Sequence, residues 1–119
     1  VVVAVEALEG TDAAIRRAHA LAGEGLVVVK AGGPKQDRRF DLPVVGPETI
    51  RRLRDARAAC LAVEAGTTLL LDRDAVIAAA AAAGLCLVGV KPAGMGDKPC
   101  DGGGVCHAAL RLLRGVYGP

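Results

Sequence analysis

Three short stretches of this chain carry residue types suited to phosphate and carboxylate chemistry. The first is Glu6-Ala7-Leu8-Glu9-Gly10-Thr11-Asp12, which follows the apolar run Val1 to Val5. Acidic groups between the carboxyl end of a strand and the start of a helix stand where open α/β sheets usually bind ligands. A carboxylate beside apolar strand residues is costly unless it is paired or bound. Two readings stay open. In one, Glu6 and Asp12 are metal ligands, and Gly10 and Thr11 face a substrate hydroxyl or phosphate. In the other, Thr11 and Asp12 cap the helix and Glu6 pairs with an arginine.

The second stretch starts at Lys30, the last residue of an apolar run. Lys35, Asp37, Arg38, Arg39 and Asp41 follow in a segment punctuated by Gly32, Gly33, Pro34 and Pro43. Guanidinium groups bind phosphate oxygens through paired hydrogen bonds, so Lys30, Arg38 and Arg39 are candidate substrate contacts. Carboxylates interleaved with them suit a divalent cation bridging to phosphate, or a base for water. The plain alternative is a solvated charged loop. The third stretch repeats the first in miniature: Ala4-Val5-Glu6-Ala7 recurs as Ala62-Val63-Glu64-Ala65, with Thr67 following. Glu64 is accordingly a third candidate metal ligand.

Other chemistry-bearing residues read more plainly. Arg51, Arg52, Arg54 and Arg57 have no aromatic partners and read as a solvated helix face. Cys60 and Cys86 lie in aliphatic runs and read as small buried hydrophobes. Cys100, Cys106 and His107 match no common zinc spacing. Gly102-Gly103-Gly104 lacks the Lys-Ser/Thr of a phosphate loop.

Hydrophobic periodicity supplies the elements that must position these groups. Apolar runs predict strands at Val1–Ala7, Leu26–Lys30, Cys60–Ala65, Thr68–Leu71 and Leu85–Val90. Helices start at Thr11 or Asp12, at Gly46-Pro47-Glu48, and at Asp72 or Asp74; Gly23 and Gly84 stop the first and last. The pattern predicts a single α/β domain, a mixed, mostly parallel sheet of about five strands covered by helices. In that frame Glu6, Thr11, Asp12, Lys30 and Glu64 converge at one edge of the sheet, with Lys30 ending the strand beside the first. The domain spans residues 1–90. Residues 91–119 form a Gly-rich, loosely attached tail, with a short helix over Val105 to Leu113.

Composition narrows the partners. Of 119 residues, 52% are hydrophobic and 24% charged, which demands a packed core and excludes disorder for most of the chain. Phe40 and Tyr117 are the only aromatics and the net charge is +2, which together argue against nucleic acid. No apolar run approaches the ~18 residues of a membrane span, and no basic lead precedes Val1, so no signal peptide is read. Reduced thiols fit a cytoplasmic setting. The chain opens inside an extended segment without a Met, so it is expected to be the end of a longer protein. An exposed Val-rich first strand needs a pairing partner, which points to a homo-oligomer.

AVEALEGTDAAIRRA, VVVKAGGPKQDRRFDLPVVGPETI and LAVEAGTTLLLDRDAVIAAAAAAG occur in order along the chain. Together they resemble the C-terminal domain of the LpxI family, the UDP-2,3-diacylglucosamine pyrophosphatases of bacterial lipid A synthesis. The resemblance covers about Val1 to Val90. It implies hydrolysis of the pyrophosphate of UDP-2,3-diacylglucosamine to UMP and 2,3-diacylglucosamine 1-phosphate (lipid X). It also implies Mg²⁺, and an essential aspartate in the segment Lys35 to Asp41; Asp41 is preferred and Asp37 stays open. It further implies an N-terminal domain of similar size, with the substrate between the two domains. The expectation is therefore a UDP-sugar diphosphate hydrolase, inactive as this fragment alone, cytoplasmic, with peripheral contact to the inner membrane. The alternative is a non-catalytic ligand-binding or dimerisation domain that keeps the fold without its partner.

Overall fold

The computed structural model describes residues 1–32, 42–91 and 115–117. The elements run β1 (Val2–Ala4), α1 (Thr11–Ala22), β2 (Val27–Lys30), β3 (Val44–Val45), α2 (Pro47–Asp55), β4 (Cys60–Glu64), β5 (Leu69–Leu70), α3 (Arg73–Ala82), β6 (Cys86–Val90) and β7 (Gly115–Tyr117). The main sheet has the order β1-β7-β2-β4-β6, and β3 pairs with β5 in a second, two-stranded sheet. β2, β4 and β6 are parallel, while β7 lies antiparallel to both β1 and β2. β1 therefore runs in the same direction as β2, and four strands end at one edge. This is the α/β domain with a mixed, mostly parallel sheet that the periodicity predicts.

The helices share one face of that sheet. Register pairs Val28 with Leu61 and Leu61 with Leu87, so these side chains point the same way, as does Val63 two residues on. Val28, Leu61 and Val63 join Ile15 and Ala18 of α1, Ile50 and Leu53 of α2, and Val76 and Ala80 of α3 in one core. Ile15, Ile50, Leu53, Leu61 and Val76 are fully buried. Each is worth roughly 1.5–3 kcal/mol of transfer from water, which sets the helices in place more firmly than helix propensity does.

Several expectations need correction. β1 ends at Ala4 rather than Ala7, because the next residues turn into a loop pinned by Arg17, which donates to the Val5 carbonyl at 3.0 Å. The neighbour of β1 is β7, not β2: the three described residues of the tail, read as loosely attached, pair on both sides. The strand predicted at Thr68–Leu71 leaves the main sheet and pairs with β3, which periodicity over two residues could not reveal. Neither Thr11 nor Asp12 caps α1. Gly10 stands at that position with a positive φ of 88° and offers no side chain. Asp72 precedes α3 without a side-chain cap bond. The cysteines are not buried: Cys60 is intermediate and Cys86 exposed. Both stand on the sheet face away from the helices, opposite in direction to Leu61 and Leu87. The helix over Val105 to Leu113, the segment from Lys35 to Asp41, and Cys100, Cys106 and His107 lie outside the described residues.

Candidate functional site

The carboxyl ends of β1, β2 and β4 bring the described candidates to one edge of the sheet. Ala4 and Val28 both pair with Val116, so they are level across the sheet. Lys30 ends β2 two residues beyond Val28, while Glu6 lies two residues beyond Ala4 in the loop that follows β1. Lys30 pairs in register with Val63, and Glu64 follows on the adjacent strand. Alternation then turns Lys30 toward the helix face and Glu64 toward the other face.

Lys30 and Glu64 grip the two ends of the charged segment. Lys30 Nζ donates to the Val44 carbonyl at 2.7 Å. The Gly32 N–H donates to Glu64 Oε2 at 3.0 Å. Gly32, just past β2, is therefore tied to β4, and Val44 is tied to β2. β3 secures this point further, since the Leu69 N–H donates to the Pro43 carbonyl at 2.8 Å and Val45 is fully buried. Glu64 itself is only 9% exposed. In the turn after β4, the Thr68 hydroxyl donates to the Glu64 carbonyl at 2.6 Å. The Thr67 hydroxyl beside it is buried and has no hydrogen-bond partner among the described residues.

The first acidic stretch is organised differently. The Thr11 hydroxyl donates to Glu6 Oε2 at 3.0 Å. Glu9 accepts from the Ala7 N–H at 2.8 Å and from Arg17 at 2.7 Å. Hydrogen bonds from its own backbone and from Ala7, with the charge of Arg17 behind them and slight burial opposing, hold the Glu9 carboxyl below its ordinary value. Gly10 supplies no side-chain cap, and the helix dipole at this end of α1 favours an anion.

Asp12 faces the other way. It bridges Arg52 of α2 at 2.9 Å. This pair lines a cleft of about 420 Å³ between α1 and α2, with Ile15, His19 and Ala56 also on its walls. Neither Lys30 nor Glu64 reaches it. The remaining arginines of α2 are likewise paired, Arg51 with Glu48 and Arg54 with Asp55, and Arg57 just beyond the helix pairs with Glu24. That accounts for the basic helix face without an anionic partner. The pairs Arg17–Glu9 and Arg52–Asp12 escaped sequence reasoning, since helical spacing links neither.

The three carboxylates read as metal ligands do not come together. Glu6 is engaged with Thr11, Asp12 with Arg52, and Glu64 with Gly32. Among the described residues no three His, Cys, Asp or Glu side chains form a cluster able to hold a cation. Asp37, Arg38, Arg39 and Asp41 lie outside those residues.

Fold and site together define an open α/β domain with Lys30 and Glu64 at the carboxyl ends of neighbouring parallel strands. The chain belongs to the LpxI family, matching the LpxI C-terminal domain over residues 1–88. It is also 46% identical over 99 residues to the UDP-2,3-diacylglucosamine pyrophosphatase LpxI of Caulobacter vibrioides. That likeness covers 76% of this chain and 35% of the relative, so the chain spans about a third of the length of that protein. Among the described residues no helix is long and apolar enough to cross a membrane.

Proposed function

We propose that this domain is the C-terminal part of a two-domain hydrolase that cleaves the pyrophosphate of UDP-2,3-diacylglucosamine to UMP and 2,3-diacylglucosamine 1-phosphate. The observation that carries the reading is the family match over residues 1–88, which spans Gly10-Thr11-Asp12, the segment from Lys30 to Asp41, and Glu64 together. A diphosphate diester needs its negative oxygens neutralised and a water set in line with the leaving oxygen. Arg38 and Arg39 supply paired donors for the first task. Lys30 joins them with the N–H donors left beside its bond to Val44. The amides at Gly10 and Thr11 add the positive end of α1. Asp41, or Asp37, orients the water and takes its proton.

The geometry supports a division of labour. Glu64 and Lys30 fix where the charged segment starts and ends, and a catalytic loop works only when its supporting shell is firm. Mg²⁺ enters on the family likeness alone and would supply charge neutralisation at the phosphate oxygens. Among the described residues, Glu6, Asp12 and Glu64 do not form a cluster that would hold it. The substrate lies against an N-terminal domain of the same protein, and its acyl chains account for contact at the membrane surface.

The test is hydrolysis of UDP-2,3-diacylglucosamine by the protein carrying both domains, read as release of UMP and the 1-phosphate. Release of UMP that falls away when Arg39 becomes Ala supports the reading. Tight binding of the substrate without turnover would instead favour a non-catalytic ligand-binding domain.

A further inference from the structure

Cys60 and Cys86 open β4 and β6, and the parallel register sets them directly opposite each other. Adjacent strands bring such Cα atoms to about 4.8 Å, inside the ~4.4–6.8 Å that a disulfide spans. Directly paired residues point to the same face of the sheet, here the face away from the helices. The backbone at both positions is already fixed: the Cys60 N–H donates to the Leu26 carbonyl at 3.3 Å and the Cys86 N–H to the Ala59 carbonyl at 3.0 Å. Both are free thiols. Joining them needs rotation about the Cα–Cβ bonds rather than movement of a strand.

We propose that Cys60 and Cys86 form a dithiol site for reversible oxidation by a small-molecule disulfide. Cys86 is exposed and meets the reagent first. Its thiolate attacks one sulfur of the external disulfide, forming a mixed disulfide and releasing one small thiol. Cys60 then loses its proton to solvent and attacks the Cys86 sulfur, releasing the second small thiol. Two cysteine thiols are oxidised and one external disulfide is reduced to two thiols. With both thiols free, burial and then the neighbouring Cys86 push the Cys60 thiol up to about 11. In the mixed disulfide Cys86 carries no charge, and burial alone still disfavours the Cys60 thiolate, so closure speeds up as pH rises.

The bridge would tie the amino ends of the two strands. Cys60 is four residues from Glu64, ~13 Å along β4, so the bridge leaves the carboxyl edge open. The site is independent of the proposed hydrolysis.

The experiment uses the full chain with Cys100→Ser and Cys106→Ser, beside the chain with all its cysteines, equilibrated against mixtures of oxidised and reduced glutathione. Acid quenching, alkylation and non-reducing peptide mapping give the products. The expected result is one Cys60–Cys86-linked peptide within a monomer, both thiols disappearing together. Cys60→Ser should leave Cys86 as a glutathione mixed disulfide. Accumulation of that mixed disulfide while Cys60 stays alkylatable would overturn the proposal. So would bridges between two chains, or pairing of Cys86 with Cys100 or Cys106 when all four cysteines are present.

Discussion

The carboxylate of Glu64, the last residue of β4, accepts the backbone N–H of Gly32 at 3.0 Å, just beyond the end of β2. Lys30 makes the matching bond to Val44 on the far side of the charged segment. Both residues read from sequence as ligands, yet their visible partners are backbone groups of this chain. On the proposed function, these bonds give both residues a part in placement. Fixing Gly32 and Val44 leaves fewer geometries to lose when a diphosphate binds, and misplacement of a reacting group by ~1 Å costs on the order of a hundredfold in rate.

Glu64→Ala removes the acceptor and leaves the Gly32 N–H without that partner. The expected cost is about 1–3 kcal/mol in chemical denaturation of the chain. In the two-domain protein it should also lower kcat with KM less affected, because the loop is misplaced rather than its phosphate contacts removed. Glu64→Gln keeps an acceptor oxygen and should recover most of the stability. Unchanged kcat in Glu64→Ala, with the stability loss present, would leave Glu64 a purely structural residue.

Thr67 offers a cleaner separation of fold from function. Its buried hydroxyl lacks a hydrogen-bond partner among the described residues, and such a group costs about 1–3 kcal/mol. Thr67→Val removes the hydroxyl at nearly constant shape, so the chain should be as stable as before, or more so. If substrate completes that hydrogen bond, kcat/KM of the two-domain enzyme should fall by up to about tenfold. Equal kcat/KM in the variant would remove Thr67 from the site.

Glu9 predicts an acid-side loss of stability. Its folded value lies below the ordinary 4.5, mainly through hydrogen bonds from its own backbone and that of Ala7. A depressed carboxylate contributes stability that is complete above 4.5 and is lost as pH falls through the folded value. Glu9→Gln should therefore be less stable than the parent at neutral pH, and the gap should close as pH drops below 4.5. A gap that holds constant from neutral pH to well below 4.5 would show that the ionised form is not what matters.

What sequence discloses here follows from how each element is specified. Leu26–Lys30, Cys60–Ala65 and Leu85–Val90 are apolar runs bounded by glycine or charge, and burial alone demands that they pair. Val44–Val45 sits between Pro43 and Gly46, too short for any period to show, and exists because Leu69–Leu70 offers it a parallel edge. Gly115–Tyr117 becomes a strand through its two partners, a property of the tertiary fold rather than of three residues. Cys86 looks buried in an aliphatic run, but strand alternation places it opposite Leu87, on the face the described helices leave uncovered. At the site, residue type and strand ends were enough to nominate Glu6, Lys30 and Glu64. The partners of Lys30 and Glu64 were not legible, since Val44 and Gly32 take part through backbone atoms that any residue would supply.

Asp41 carries the sharpest functional test. In the two-domain protein, Asp41→Asn should nearly abolish release of UMP while leaving the fold and substrate binding largely intact. The amide matches the carboxylate in shape but cannot take a proton from water. Loss of a general base typically costs ~10²–10⁴ in rate. Arg39→Ala should instead raise KM as well as lower kcat, because it removes attraction for the diphosphate in the ground state and the transition state alike. An ordinary loop acid ahead of Leu42 and Pro43 would behave otherwise: its replacement would shift stability within about ±0.5 kcal/mol and leave turnover unchanged. Steady-state kinetics of Asp41→Asn, Asp37→Asn and Arg39→Ala, with thermal unfolding of each, separate these outcomes. Full activity in Asp41→Asn alone transfers the role to Asp37, and full activity in both aspartate variants removes the loop carboxylates from the mechanism.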